Sequence, residues 1–286
     1  MTAAWDALIE KSDLRKIEIR SAADLTESDL VVGEVLLSVD RFSLTANNIT
    51  YGAMGDAFGY WKFFPAPEGQ GRIPVWGFAT VLASKSADVE VGQRIFGYLP
   101  MSSHVVMQLV KTRHGLVDAA AHRADLPPTY NAYNLAPVDP MDDHLALLRP
   151  LLMTSFLLDD FLSEDDTLKA LVLSSASSKT AMGLAWFARQ RGMKVVGLTS
   201  PANREALISF GLYDEVVAYD GVPDLKVPGP VAFVDFAGNS ALVGEVHAAL
   251  GDDLTRSLIV GGTHWEAPRL REGLTGPVPV LFFAPD

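Results

Sequence analysis

A run of small and hydroxyl-bearing residues, Leu173–Gly183 (LSSASSKTAMG), has the composition of a phosphate-binding turn. It follows a short apolar stretch and leads into a predicted helix, whose N-terminal N–H groups favour anions. Dinucleotide-binding folds carry glycines in this turn so that the backbone can approach a pyrophosphate. Glycine is missing here, and the residues at the spacing i, i+3, i+6 are Ser175, Ser178 and Ala181, which are all small. The residues predicted to hold phosphate oxygens are Ser175, Ser177, Ser178, Lys179 and Thr180.

Two other interpretations of this turn have to be weighed. Its serines can simply cap the following helix by accepting a backbone N–H bond. Lys179 and Thr180 also resemble the end of a P-loop, but Leu173 and Ser178 stand where that motif requires glycine, which disfavours a P-loop. Cofactor binding and helix capping are therefore both consistent with the residues of the turn.

The next predicted strand, Lys194–Leu198, is followed by a segment without a carboxylate, TSPANR. In NAD-binding folds an Asp or Glu at this place accepts hydrogen bonds from the adenosine ribose, and it would repel a 2′-phosphate. Thr199, Ser200 and Arg204 are residue types that suit a 2′-phosphate instead. We expect Glu205 to point away from Arg204, because adjacent helical residues do not share a face. An ordinary turn that caps a helix is the alternative.

Composition limits the function classes. The chain has 286 residues, with 23 Lys and Arg against 35 Asp and Glu and a formal net charge of −12. A hydrophobic fraction of 49% is typical of a folded globular chain. The acidity argues against nucleic-acid and anionic-membrane partners, since phosphates bind basic faces. Cysteine is absent, which excludes disulfides, thiolate–zinc sites and cysteine nucleophiles. No signal peptide or membrane-spanning stretch is present, so we expect a cytoplasmic protein.

The first half of the chain predicts a β-rich domain. Short runs rich in Val and Leu are separated by Gly, Pro and Ser, as strands are. The segment Tyr51–Arg72 between them is rich in Gly, Pro and aromatic residues, and it is predicted to be a loop. The strand candidates are Val31–Phe42, Val75–Ala83, Arg94–Tyr98 and His104–Leu109.

The second half alternates short apolar runs with helical patterns of about 10 residues, which implies βαβ units and a parallel sheet. The change of character falls near Pro140, so we predict a β domain over residues 1–140 and a doubly wound α/β domain over 141–286. The predicted strands are Ala170–Leu173, Lys194–Leu198, Glu215–Ala218, Val231–Phe236, Ser257–Val260 and Val278–Phe283. The predicted helices are Asp142–Leu162, Thr180–Arg191, Asn203–Phe210 and Ala241–Leu250.

Four segments, in this order and spacing, resemble those of the medium-chain dehydrogenase/reductase superfamily. Gly33–Gly52 (GEVLLSVDRFSLTANNITYG) resembles the strand and loop that open its GroES-like domain, and Pro74–Pro100 resembles the stretch that follows. Ala170–Ser200 resembles its nucleotide-binding βαβ unit, and Val234–Asn239 (VDFAGN) resembles the strand end that contacts the nicotinamide half. The chain looks closest to a zinc-free branch related to quinone and enoyl reductases. The resemblance implies a GroES-like domain followed by a Rossmann domain.

The departures from the superfamily concern zinc above all. Zinc-dependent members carry Cys in the first loop and Gly-His-Glu in the place of Trp76-Gly77-Phe78, so ligand chemistry excludes a catalytic zinc here. After the strand that corresponds to Val278–Phe283, members of the superfamily usually continue with a segment that returns to the catalytic domain. Here Phe283–Asp286 follow directly, so either this protein dispenses with that segment or the chain is shortened. The six histidines show no metal-binding spacing: His104, His114, His122, His144, His247 and His264.

The resemblance implies an active site in the cleft between the domains. Asn47, Asn48 and Tyr51 lie where zinc-free relatives place substrate-contacting Asn and Tyr. Tyr133 belongs to a second polar–aromatic cluster, Tyr130–Asn134. A tyrosine can donate to a carbonyl oxygen as charge develops there. Packing within loops is the alternative for both clusters. Further cofactor contacts are expected at Thr154, Gly238 and Gly261.

We therefore predict an NADPH-dependent, metal-free oxidoreductase that reduces a conjugated carbonyl, a quinone or a similar small electrophile. A homodimer is expected through the edge strand Val278–Phe283. A non-catalytic binding or structural protein that keeps the fold is the alternative, and the glycine-free turn favours it. Gly-x-Ser-x-Gly and Tyr-x-x-x-Lys motifs are absent, which disfavours an α/β-hydrolase and a short-chain reductase.

Overall fold

The computed structural model describes residues 4–262 and 273–284. The chain divides into two compact units, Met1–Leu147 and Leu148–Ala284. The first is built from antiparallel strands and the second from a parallel sheet with helices. The predicted fold class is thereby confirmed. Within the described ranges no helix is long and apolar enough to cross a lipid bilayer.

The first unit contains two antiparallel sheets. Three strands form one sheet in the order β2-β1-β4, and seven form the other in the order β7-β3-β5-β6-β10-β9-β8. A short helix, α1 (Asn47–Ala53), follows the third strand. The strands are β1 (Trp5–Glu10), β2 (Asp13–Ser21), β3 (Val35–Ser43), β4 (Gln70–Gly71), β5 (Pro74–Ser84), β6 (Arg94–Pro100), β7 (His104–Met107), β8 (Leu109–Thr112), β9 (Gly115–Asp118) and β10 (Ala132–Leu135).

The core of the first unit is formed by the inward residues of the larger sheet. Leu37, Val75, Val81, Ile95 and Leu99 are all buried in it. Their neighbours along each strand point the other way, as the period of two requires.

The segment predicted to be a loop, Tyr51–Arg72, is in fact partly ordered into secondary structure. It contains the end of α1, a 3₁₀ turn at Tyr60–Lys62 and the strand β4. Tyr60, Trp61 and Phe63 are buried, so these aromatic residues pack as core. Aromatic burial, which the loop-like composition conceals, overrides the local propensity of this segment.

The second unit is a six-stranded parallel sheet in the order β13-β12-β11-β14-β15-β16. Counted from its own first strand this is the order 3-2-1-4-5-6 of dinucleotide-binding folds. The strands are β11 (Ala170–Leu173), β12 (Lys194–Thr199), β13 (Glu215–Ala218), β14 (Val231–Asp235), β15 (Leu254–Ile259) and β16 (Val280–Leu281). The helices are α2 (Asp142–Ser163), which begins in the first unit, α3 (Lys179–Gln190), α4 (Pro201–Phe210) and α5 (Ser240–Leu250).

Local signals explain most of these boundaries. The central strands β11 and β14 are buried at every residue, as unbroken apolar runs in parallel sheets are. Asn239 caps α5 by accepting the N–H of Leu242, and α4 ends at Gly211 in the left-handed region with φ +64°. The predicted edge strand Val278–Phe283 was too long, because only Val280–Leu281 pair with β15.

Candidate functional site

The turn between β11 and α3 has the backbone shape of a glycine turn without the glycine. Ser175, at the first of the three glycine positions, lies in the left-handed region with φ +45°. A side chain in this region costs roughly 1–2 kcal/mol, which glycine avoids. Ser177 and Lys179 are exposed at the N-terminus of α3. Ser178 accepts the N–H of Ala181 at 3.2 Å, so it caps the helix as well.

This turn packs tightly against β12. Ala176 is fully buried, and its N–H donates to the carbonyl oxygen of Leu198 at 3.0 Å. The hydroxyl of Tyr213 donates to the carbonyl oxygen of Ala176 at 2.7 Å. A Cβ added at Gly197 would lie 2.8 Å from the Cβ of Ala176, so only glycine fits at that position. Both backbone groups of Ala176 are therefore hydrogen-bonded, which fixes the inner side of the turn. The side that carries Ser177 and Lys179 is exposed and can receive a ligand.

The segment that follows β12 lies beside the turn between β11 and α3. Asn203, in the first turn of α4, donates from its side-chain amide to the hydroxyl of Ser177 at 3.2 Å. Ser200 is half-exposed at the start of α4, whereas Thr199 is buried as the last residue of β12. Ser177 and Ser200 are consequently accessible from solvent, and Thr199 is not.

The expectation that Glu205 points away from Arg204 was wrong. Arg204 Nη1 lies 2.9 Å from Glu205 Oε1, and Arg204 Nε donates to the carbonyl oxygen of Val216 at 3.2 Å. The two long side chains fold back along the exposed helix surface, which adjacent helix positions do not forbid. Glu205 therefore competes with any anion for this guanidinium.

A buried carboxylate that the sequence analysis missed organises the ends of β11 and β14. Asp235 accepts the hydroxyl of Ser174 at 2.5 Å and the N–H groups of Ala237 and Gly238 at 3.2 and 2.8 Å. Ser174 in turn accepts the N–H of Phe236 at 2.9 Å. Because a buried carboxylate must be hydrogen-bonded, this network fixes the turn after β14. Its sequence signal is an Asp at the end of an otherwise apolar strand, VAFVD.

The structure brings the two predicted glycines together. A Cβ added at Gly238, which has φ +73°, would lie 3.2 Å from the carbonyl oxygen of Gly261. A Cβ added at Gly261 would lie 2.1 Å from the carbonyl oxygen of Phe236. The strand ends thus form a surface of bare backbone. Thr154 lies on α2, half-buried, and its hydroxyl donates to the carbonyl oxygen of Pro150 at 3.2 Å.

The candidate residues of the first unit belong to a cluster of buried tyrosines. Tyr51 on α1 makes edge contacts with Tyr60, Tyr98 and Tyr130, at ring-centroid distances of 4.8, 5.3 and 6.1 Å. The indole N–H of Trp76 donates to the hydroxyl of Tyr51 at 3.0 Å. An indole N–H can only donate, so Tyr51 accepts there, and the neighbouring Tyr130 hydroxyl is an acceptor for its own proton.

The two predicted asparagines of this unit, Asn47 and Asn48, differ in whether their side-chain amides are available to a ligand. Asn48 is buried, its oxygen accepts the N–H of Thr45 at 2.7 Å, and its amide donates to the carbonyl oxygen of Pro74 at 2.9 Å. Asn47 is half-buried beside the Tyr51 hydroxyl. Both ends of the Asn48 amide are therefore used to hold α1 in place. Asn47 is the better placed of the two to donate a hydrogen bond to a substrate.

Tyr133 does not fit the predicted contact with substrate. It is fully buried, its hydroxyl donates to the carbonyl oxygen of Tyr98 at 2.7 Å, and it accepts from Arg123 Nη1 at 2.8 Å. Arg123 lies 3.1 Å from Asp118, and both are buried. The hydroxyl is therefore used by the core, because a buried arginine needs acceptors.

Burial raises the pKa of every tyrosine in this cluster. For Tyr51 burial is the main cause and the neighbouring Tyr130 the next. Burial likewise raises the pKa of Tyr60, Tyr98 and Tyr130. Burial raises the pKa of Tyr133 to about 12, against the lowering effect of Arg123. All of these phenols are protonated near neutral pH and can donate hydrogen bonds.

The described residues contain no group of three or more His, Asp or Glu side chains that could hold a metal ion. A Cβ added at Gly77 would lie 2.2 Å from the carbonyl oxygen of Arg41, so no side chain fits there. His247 is buried between Ser257 and the carbonyl oxygen of Thr275. His264 lies outside the described residues.

The class that the fold defines is a GroES-like unit joined to a Rossmann unit, the architecture of the medium-chain dehydrogenases and reductases. A model of the family described as "Protein of unknown function (DUF2855)" matches residues 42–286, so the chain belongs to that family. No curated protein matches the chain.

Solved structures share this fold at low sequence identity. CurA from Vibrio vulnificus in complex with NADPH has a TM-score of 0.66 and 15% identity, covering 98% of this chain and 82% of that chain. The CurK enoyl reductase has a TM-score of 0.61 and 13% identity, covering 99% and 81%. A mutant enoyl thioester reductase from Candida tropicalis has a TM-score of 0.58 and 13% identity, covering 100% and 83%.

Proposed function

We propose that the chain is an NADPH-dependent, metal-free reductase of a small conjugated carbonyl, quinone or similar electrophile. The observation that carries the proposal is the Ser175–Lys179 turn, which follows the central strand β11 of a parallel sheet and keeps a glycine-like backbone at Ser175. Ligands of such sheets bind beyond the carboxyl ends of the strands. The named neighbours, an NADPH complex and two enoyl reductases, support the same class.

The residues of the second unit fit a dinucleotide. Ser175, Ser177 and Ser178 have short side chains, so a pyrophosphate can approach the backbone at the N-terminus of α3. Lys179 supplies an exposed positive charge beside them. Ser200 and Arg204 are the candidates for the 2′-phosphate. The bare backbone at Gly238 and Gly261 suits the nicotinamide half, and the bound cofactor would supply the hydride.

Tyr51 is the candidate hydrogen-bond donor to the substrate. Its hydroxyl already accepts from Trp76, so its proton is the group it can donate, and it would turn from the Tyr130 hydroxyl to a substrate oxygen. Its raised pKa keeps that proton in place. A phenol that donates to a carbonyl oxygen stabilises the negative charge that develops there during reduction. Asn47, next to the same hydroxyl, is the second candidate donor.

The test is a titration of the purified chain with NADPH and NADH, followed by fluorescence or calorimetry, with ATP as a nucleotide control. We expect NADPH to bind more tightly than NADH and ATP. Lys179→Ala should weaken both dinucleotides about tenfold, the effect of losing one charge-assisted bond. Lys169→Ala is the matched control, because it removes an exposed lysine just before β11, at the opposite end of the same strand.

Binding without turnover would favour the second candidate, a non-catalytic protein that retains the reductase fold. The observation in its favour is the absence of glycine at all three positions of the turn. If neither dinucleotide binds at millimolar concentration, both the cofactor and the reductase proposal fail.

A further inference from the structure

The strand β2 leaves an unusually long open edge. It spans nine residues, Asp13–Ser21, at the border of the sheet β2-β1-β4, and within the described parts of the chain its only strand partner is β1. Every residue from Arg15 to Ser21 is exposed. The outer backbone groups of such an edge can pair with another strand. The N–H of Arg15 donates to the exposed carboxylate of Asp13 at 3.2 Å and would exchange that bond for one to the second strand.

Two apolar side chains stand on this edge strand. Ile17 is 57% exposed and Ile19 is 65% exposed. Because they are two residues apart, they lie on the same face of the sheet. Two exposed aliphatic side chains on one face of an open edge fit a surface that a second strand covers.

The charges of β2 are complementary to themselves in one antiparallel register. When two copies pair about a twofold axis through Ile17, residue 16 faces residue 18 of the other copy. Lys16 then opposes Glu18 of the second copy, and the same pair forms again on the other side of the axis. Directly opposed opposite charges stabilise a strand pair, and like charges destabilise it.

Most other registers are disfavoured by the same rule. An axis through Lys16 or through Glu18 brings that residue opposite its own copy, and an axis through Arg15 opposes two arginines. An axis through Ile19 pairs Glu18 with Arg20, but it aligns only residues 17–21 of the strand with one another. The register through Ile17 is the one that pairs all nine residues and opposes unlike charges.

We propose that the chain forms a homodimer by antiparallel pairing of β2 with β2 of a second copy, centred on Ile17. The ion pairs that these residues make within one chain, Lys16 with Glu10 at 3.1 Å and Glu18 with Arg20 at 2.7 Å, are exposed. Exposed ion pairs contribute little, so they rearrange at small cost. The edge strand β16, where the sequence predicts the dimer contact, is only two residues long.

The absence of cysteine makes the register directly testable. A single Ile17→Cys substitution places two thiols across the axis, where opposed Cα atoms are about 4.5–5.5 Å apart and a disulfide forms readily. Ile19→Cys is the matched control, because the two thiols would be displaced by four residues, about 13 Å along the strands. We expect mild oxidation to link the Ile17→Cys dimer and to leave the Ile19→Cys variant unlinked.

Charge exchange tests the same interface without cross-linking. Lys16→Glu should raise the dimer dissociation constant at least tenfold in sedimentation experiments. The substitution places a carboxylate opposite Glu18 of the other copy on both sides of the twofold axis. Lys16→Glu combined with Glu18→Lys should restore the dimer. Val280→Asp, on β16, should leave it unchanged. A monomeric wild-type chain at micromolar concentration, equal cross-linking of both cysteine variants, or dissociation by Val280→Asp would each overturn the proposal.

Discussion

The hydroxyl of Ser43 donates to the carbonyl oxygen of Ala146 at 2.8 Å in a buried position. Residue 146 lies in the first turns of α2, and four residues later the helix contains Pro150, which has no N–H to donate. The side chain of a β3 residue therefore supplies the hydrogen bond that the helix itself lacks. This bond fastens the start of α2 to the larger sheet of the first unit.

Removing that hydroxyl should destabilise the protein in a way that depends on Pro150. Ser43→Ala leaves a buried carbonyl without its donor, and we expect a loss of about 1–3 kcal/mol in the free energy of unfolding. In a Pro150→Ala background the helix regains an N–H for Ala146, so the same substitution should cost less. Urea unfolding of the four proteins measures the coupling. Equal losses in both backgrounds would contradict the compensation.

The ion pair of Arg204 with Glu205 predicts an unusual gain of affinity. Glu205→Gln removes the competing carboxylate, so the guanidinium becomes available to a 2′-phosphate. We expect tighter binding of NADPH by a few-fold and unchanged binding of NADH. Arg204→Ala should weaken NADPH alone, by about tenfold. If Glu205→Gln strengthens both dinucleotides equally, Arg204 does not contact the 2′-phosphate.

How much of this could be read from the sequence depends on how local the signal is. The strand β11 and the helix α2 were predicted almost to the residue, because apolar runs and helical periodicity are local patterns. The β2 hairpin was missed, since an exposed edge strand has no buried face to reveal it. The Ser174–Asp235 pair was missed because its partners lie 61 residues apart.

The buried tyrosines predict a loss of stability in alkali. Tyr133 has a pKa of about 12 in the folded protein, against about 10 when unfolded. The contribution of this buried phenol to the free energy of unfolding is fully present below pH 10. It is lost as the pH rises toward 12, because in this range the unfolded state releases the phenol proton and the folded state keeps it. Urea unfolding between pH 8 and 12 should show constant stability and then a fall. Tyr133→Phe should be less stable below pH 10 and should fall less steeply above it.

Zinc should play no part in folding or activity. The position of Gly77 has no room for a side chain, and the described residues offer no set of three metal ligands. Elemental analysis should find less than stoichiometric zinc in the purified protein. Incubation with a strong chelator should leave the melting temperature unchanged, since no folding energy depends on a metal. One tightly bound zinc per chain would refute this prediction.

Tyr51 should matter to the reaction more than its neighbours in the cluster. Tyr51→Phe removes the proposed donor while preserving the ring, so we expect kcat to fall about 100-fold with NADPH affinity unchanged. Tyr60→Phe is the matched control, because its hydroxyl lies 3.3 Å from that of Tyr130 in the same cluster. Trp76→Phe should lower kcat less, because it frees the Tyr51 hydroxyl to rotate without removing it. Steady-state kinetics with a quinone or an enone distinguish the three. An equal loss in Tyr51→Phe and Tyr60→Phe would mean that the cluster acts through packing and not through one donated proton.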